Sequence, residues 1–194
     1  MQRLITTAAI LAVLAALLGT IWVVRELGKK EAEDLLIAEN LEPKEFSTQD
    51  GKVDHLQAGY DAYYGGRLVE AVEAYRLAAE AGDPVAQRNI GFLYQRGHGV
   101  FKNAETAMMW YRKAANQGHR AAYNNIGFLF VAGMGVEQDF VQAHFWYTKA
   151  VVAGSKEGKR LRGVIQEKMT DEQIDAAVKL AKDNGLEEKG LFDF

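Results

Sequence analysis

The sequence predicts an all-α chain: a solenoid of tandem antiparallel helix pairs, preceded by one N-terminal transmembrane helix. Three observations predict it. The chain matches itself when slid by 36 residues, the matched blocks carry apolar residues at helical spacing with glycines between them, and the run from Leu4 to Val24 holds no charged residue. With 194 residues, 48% hydrophobic and 25% charged, the composition is ordinary for a folded domain and excludes a chain that is disordered throughout.

The N-terminal run is bracketed by Arg3 and Arg25. At about 1.5 Å per residue it makes a helix of roughly 30 Å, enough to cross hydrocarbon. It is longer than the apolar core of about 7–15 residues in a cleavable signal, and no small-x-small pair follows Gly19, so residues 1–27 read as a retained anchor. Cleavage to a soluble exported domain is the alternative. Arg25, Lys29 and Lys30 after the run outnumber Arg3 before it, which taken alone favours a cytoplasmic domain. Ala8, Ala12, Ala16 and Thr20 form a small-xxx-small stripe through which two membrane helices can pack, making a homo-oligomer possible. Residues 28–52 are a charged stalk: Leu35, Leu36 and Leu41 are too sparse for a core, and Pro43 interrupts any helix begun near Lys29.

From residue 53 to 155 three repeats follow, 53–84, 85–120 and 121–155. Asn89-Ile90-Gly91-Phe92-Leu93 falls on Asn125-Ile126-Gly127-Phe128-Leu129, and Trp110, Tyr111, Lys113, Ala114 and Gly118 fall on Trp146, Tyr147, Lys149, Ala150 and Gly154. The first copy keeps Ala71, Tyr75, Ala78 and Gly82 at the same step but has lost four residues from its internal loop. Each unit reads as two helices, for example Val85 to Arg96 and about Ala104 to Gln117. Asn103 and Asp139 stand where an N-cap side chain is needed, and Gly118 and Gly154 where positive φ is cheapest. Trp110, Tyr111, Trp146 and Tyr147 repeat with the helix period and are expected in the core. Residues 156–184 give two capping helices. Leu161, Val164, Ile165 and Met169 form the apolar stripe of one, and a Thr170–Gln173 capping box opens the other, which buries Ile174, Ala177, Val178 and Ala181. Residues 185–194 are a loose tail, in which Leu191, Phe192 and Phe194 are available for docking.

Asn89-Ile90-Gly91-Phe92-Leu93-Tyr94, Gly97-His98-Gly99-Val100 and Trp110-Tyr111-Arg112-Lys113-Ala114-Ala115 resemble the Sel-one-like repeat family, relatives of tetratricopeptide repeats with a longer glycine-bearing loop. The resemblance implies a right-handed α-solenoid that holds other proteins, and it does not imply catalysis. Lys168 to Ile174 is similar to the terminal helix of bacterial members, which implies an inner-membrane, single-pass protein with its repeats in the periplasm, against the charge count given above. Cysteine-rich relatives are linked to β-lactam binding, but the cysteine pairs that characterise them are absent.

Transferring tetratricopeptide positions by the glycine of each unit brings Leu56, Tyr60, Tyr63, Tyr64, Arg88, Phe92, Gln95, Arg96, Asn124, Phe128 and Val131 toward the concave face as a partner-binding groove. Aromatic residues and arginine are the types that dominate interface energetics. For Phe92 and Phe128, packing between units is an equal alternative. Leu56 stands where relatives that clamp a peptide carboxylate carry lysine, which disfavours that mode.

Other chemistries find little support. A net charge of −3, from 23 basic and 26 acidic side chains, offers no basic face for nucleic acid. Zero cysteines exclude disulfides, thiolate zinc sites and cysteine nucleophiles. Gly97-His98-Gly99 and Gly133-Met134-Gly135 lack the third glycine and the lysine ending of a phosphate loop. His55, His98, His119 and His144 include no i, i+4 pair, so no metal site is expected, and no cofactor. Ser47 and Ser155 have no triad around them, and Glu187 and Glu188 lie in a solvated charge run. The reading is therefore a non-enzymatic scaffold, tethered to the membrane, that binds a protein partner. The alternatives are a small-ligand or envelope-glycan accessory protein using the same groove, and a structural subunit that oligomerises through its membrane helix.

Overall fold

The computed structural model describes residues 54–186, which lie in one compact unit. Among the described residues the secondary structure is entirely helical: α1 (His55–Tyr64), α2 (Leu68–Glu80), α3 (Pro84–Arg96), α4 (Ala104–Asn116), α5 (Arg120–Ala132), α6 (Phe140–Val152), α7 (Lys156–Gln166) and α8 (Asp171–Asp183). Each helix from α1 to α6 packs on the next, so the chain runs as stacked hairpins. The last helix, α8, returns to pack on α6. The anchor, its packing stripe at Ala8, Ala12, Ala16 and Thr20, the stalk, and the docking residues of the tail lie outside the described residues. Among those described, no helix is long and apolar enough to cross a membrane.

Each hairpin closes by the same device. A glycine in the first helix faces a tyrosine in the second: Gly59 against Tyr75, Gly91 against Tyr111 and Gly127 against Tyr147. A Cβ at Gly91 would stand 2.8 Å from the Tyr111 ring, and one at Gly127 would stand 2.6 Å from that of Tyr147. The rings therefore pack directly against bare backbone, and all three tyrosines are buried. Alanines such as Ala71, Ala86, Ala107, Ala122 and Ala143 are also buried, keeping helix axes close. Ile90, Leu93, Ile126 and Leu129 fill the remaining space.

Helix boundaries follow from local chemistry. The side chains of Asn103 and Asp139 accept hydrogen bonds from Thr106 and Gln142 at the starts of α4 and α6, as the sequence predicts. Between hairpins, Gly82, Gly118 and Gly154 take positive φ, and the following residue in each case donates its N–H five residues back. Inside the hairpins, α1 and α2 are joined by residues 65–67, and α3 and α4 by residues 97–103. This is the four-residue deletion read from the sequence. In the longer loops Gly99 and Gly135 combine a left-handed φ with close approach to the backbone at Leu68 and Ala104, the first residues of α2 and α4. The loop glycines thus seat each hairpin on its predecessor.

At the C-terminal end the Thr170–Gln173 capping box forms in both directions. Ala177 and Ala181 are fully buried, and Ile174 and Val178 are half-buried. Ile165 joins Ala143 and Tyr147 in the core, with Leu161 and Met169 packed against it. Val164 departs from the expected stripe and stays 43% exposed. Its place on α7 repeats that of Phe128 on α5, so it lies on the face that the first helices turn outward.

His144 on α6 is fully buried, with Nδ1 3.5 Å from Thr148 Oγ1 and Nε2 unpaired. Arg162 on α7 is also buried, and its Nη1 is unpaired. Burial, and then the charge of Arg162, holds the His144 pKa down at about 4. Because this lies below the ordinary value of 6.5, the unfolded chain takes up the proton first. The contribution to stability is complete above pH ~6.5 and is lost as pH falls toward 4. Between pH 7 and pH 5 the unfolding free energy should fall by about 2 kcal/mol from this residue alone. Urea titrations across that range should show the slope, and His144→Gln should flatten it.

Candidate functional site

The faces of α1 and α3 meet over an open cavity of about 360 Å³, lined by Tyr60, Tyr63, Tyr64, Tyr75, Arg88, Asn89, Phe92 and Leu93. Five of these were predicted for the groove: Tyr60, Tyr63, Tyr64, Arg88 and Phe92. Helical spacing brings them together, since Tyr60 and Tyr64 are one turn apart on α1, and Arg88 and Phe92 one turn apart on α3. The rings form a connected set. Tyr60 stacks on Tyr64 at 6.4 Å and meets Tyr75 edge-on at 5.6 Å, and Tyr63 meets Phe92 edge-on at 6.4 Å. Tyr64 is 81% exposed, whereas Tyr60, Tyr63 and Phe92 are half-buried.

Two guanidinium groups flank the Phe92 ring. Arg88 and Arg96 each place Cζ 5.5 Å from its centroid. Arg88 donates through Nη1 to Asn89 Oδ1 at 3.2 Å, while its Nε is buried without a partner. Asn89 is buried as well, and its Nδ2 is also without a partner. Burial, the dominant influence, raises the pKa of Tyr75 well above the usual tyrosine range, so its phenol stays neutral.

The remaining predicted residues are spread more widely. Leu56 is half-buried and packs against the first core cluster. Asn124 donates to Ser155 Oγ at 3.0 Å, which ties α5 to the cap of α7. Val131 packs on the Tyr147 cluster. Phe128 is 43% exposed one unit further along. Gln95 points elsewhere: it is buried and accepts a hydrogen bond from the Tyr111 hydroxyl, so it belongs to the α3–α4 interior and not to the groove surface. Its position one residue before exposed Arg96 puts it a full 100° around the helix, enough to turn it inward. Of the four aromatics expected in the core, Trp110, Tyr111 and Tyr147 are buried, and Trp146 is half-buried beside Tyr123.

Sequence reasoning missed His98, Asn89 and Tyr75 as parts of this site. His98 reaches back from its loop to lie 6.1 Å from the Tyr63 ring, with Nδ1 3.4 Å from the Tyr63 hydroxyl. The signal available was its replacement by Met134 in the next unit, which marks it as particular to this one. Asn89 carried a signal too, as an amide kept at the same step in Asn125 inside an otherwise apolar helix. Among the described residues no group of three histidine, cysteine or acidic side chains is placed to hold a metal. Gln95→Ala should cost about 1–3 kcal/mol in urea denaturation, since it removes the acceptor of the hydrogen bond from the buried Tyr111 hydroxyl, while exposed Arg96→Ala should stay within about 0.5 kcal/mol.

The Sel1 repeat model matches residues 84–119 and 120–154. Among solved structures, c5321, a protective antigen present in uropathogenic Escherichia coli strains and displaying an SLR fold, is 32% identical with a TM-score of 0.60, over 66% of this chain and 28% of its own. A Sel1 repeat protein from Oxalobacter formigenes is 28% identical with a TM-score of 0.56, over 66% of this chain and 55% of its own. The present chain thus spans about a quarter of the first and about half of the second. No curated protein matches it. The α3–α4 and α5–α6 hairpins are therefore two Sel1 repeats.

Proposed function

We propose that this protein is a membrane-tethered, non-enzymatic adaptor that captures a segment of a partner protein on the face made by α1, α3 and α5. Sel1 repeats are scaffolds typical of protein–protein interaction and generally without catalysis. The observation that carries the proposal is the cavity between α1 and α3, where four tyrosines, a phenylalanine and Arg88 meet around an open space, with Arg96 beside the Phe92 ring. These side chains bury large areas at low entropic cost and offer both apolar and polar contact. Phe128 and Val164, both 43% exposed, continue the same helix position toward the C-terminal end and extend the surface available to a segment.

The tether is the uncharged run from Leu4 to Val24, whose length suits a bilayer. With the repeats in the periplasm, the stalk of residues 28–52 would hold them clear of the inner membrane. A photo-crosslinking amino acid at Tyr63 in cells should trap one partner set, and Phe92→Ala combined with Arg96→Asp should abolish it. An unchanged set of crosslinks would reject the face. A reporter fused after Phe194 should read out on the periplasmic side, and a cytoplasmic signal would reject that location.

A further inference from the structure

We infer that the cavity between α1 and α3 recognises an internal acidic side chain of the partner, an aspartate or glutamate next to a large apolar or aromatic residue. The inference rests on the adaptor reading above and names the chemistry of its partner. It follows from an imbalance of donors and acceptors. Arg88 commits only Nη1, to Asn89. Its other edge, Nε and Nη2, makes no hydrogen bond, and Nε is buried without a partner. That edge is the one a carboxylate occupies side-on with two parallel bonds. Asn89, 7% exposed and part of the cavity wall, has already used its oxygen and leaves its amide nitrogen unpaired. Arg88 and Asn89 both line the cavity and each keeps a buried donor without an acceptor, and neither Arg88 nor Arg96 forms an ion pair with a described carboxylate.

A basic or purely apolar segment would leave this imbalance in place, whereas a carboxylate removes it. Arg96, two turns from Arg88 on the same helix face, adds a second positive charge on the far side of Phe92. The tyrosines and Phe92 then wall the space for a neighbouring apolar side chain. A volume of about 360 Å³ is near the small end of ligand pockets and suits one or two side chains, not a folded surface.

The test is selection from random nine-residue peptides, displayed with both ends fused within a phage coat protein, against the full chain in detergent. The inference expects enrichment of aspartate or glutamate adjacent to phenylalanine, tryptophan or leucine. In a selected peptide, replacing the acid by its amide should weaken binding at least tenfold. Arg88→Gln should do the same, and the two changes together should lose little more than either alone. If Arg88→Gln proves unfolded by circular dichroism, exposed Arg96→Gln takes its place, with a loss of at least threefold expected. Exposed Arg112→Gln on α4 should bind as the parent does. No enrichment, enrichment of basic or uncharged peptides, equal binding of acid and amide, or binding confined to residues 187–194 of a second copy would each overturn the inference. Crosslinks from Tyr63 that persist in cells while acid dependence is absent would reject the acidic chemistry and leave the adaptor standing. Loss of both would reject the two together.

Discussion

The structure depends on one steric constraint, repeated three times: a tyrosine ring laid on the bare backbone of a glycine in the partner helix. Glycine inside a helix costs about 1 kcal/mol relative to alanine. The chain accepts that cost at Gly59, Gly91 and Gly127 because any Cβ there would collide with the ring of Tyr75, Tyr111 or Tyr147. Burying a tyrosine side chain in exchange returns more than the glycine costs, provided the hydroxyl finds a partner or stays at an edge. At Tyr111 the partner is Gln95. Burial pushes this phenol up to about 12, so it remains a donor throughout the physiological range.

The interlock also determines what is left for binding. Because the inner face of each first helix is given to glycine, alanine, isoleucine and leucine, a second set of large side chains stands on the opposite face. Tyr60 and Tyr64 on α1, Arg88, Phe92 and Arg96 on α3, and Phe128 on α5 all lie there. The shortened loop after α1 brings a further consequence. With only Gly65, Gly66 and Arg67 between α1 and α2, that hairpin lacks the longer loop of its neighbours. His98, from the longer loop of the next hairpin, instead reaches Tyr63 and completes the aromatic set. The departure of the first repeat from its neighbours and the tyrosine-lined cavity therefore occur at the same end.

Much of this architecture was legible in the sequence because its determinants are local and repeated. The caps at Asn103, Asp139 and Thr170, the hinge glycines at 118 and 154, and the pairing of helices all rest on residue types whose preferences hold within a turn or two of chain. The site was only partly legible. Tyr60, Tyr63, Tyr64, Arg88 and Phe92 were found by transferring positions from one repeat family to another, which tracks the outward face of a helix well. Gln95 was misplaced by the same transfer, because a one-residue step on a helix turns a side chain from one surface to another. His98, Asn89 and Tyr75 join the site through the meeting of two hairpins, as in the contact of Tyr63 with His98, 35 residues apart, and the period marks His98 and Asn89 as unusual without showing what they meet. Val164 was read as core from its spacing, yet the spacing of 36 places it with Phe128 on the open face.

The central claim is that the glycine–tyrosine interlock builds the stack and thereby orients the open face. Proton NMR of the folded chain tests it most directly through the Hα protons of Gly91 and Gly127. The account predicts strong upfield shifts of these protons by the overlying rings, with nuclear Overhauser contacts from Gly91 to the Tyr111 ring and from Gly127 to the Tyr147 ring. Unshifted glycine protons with no contact to either tyrosine ring would contradict it.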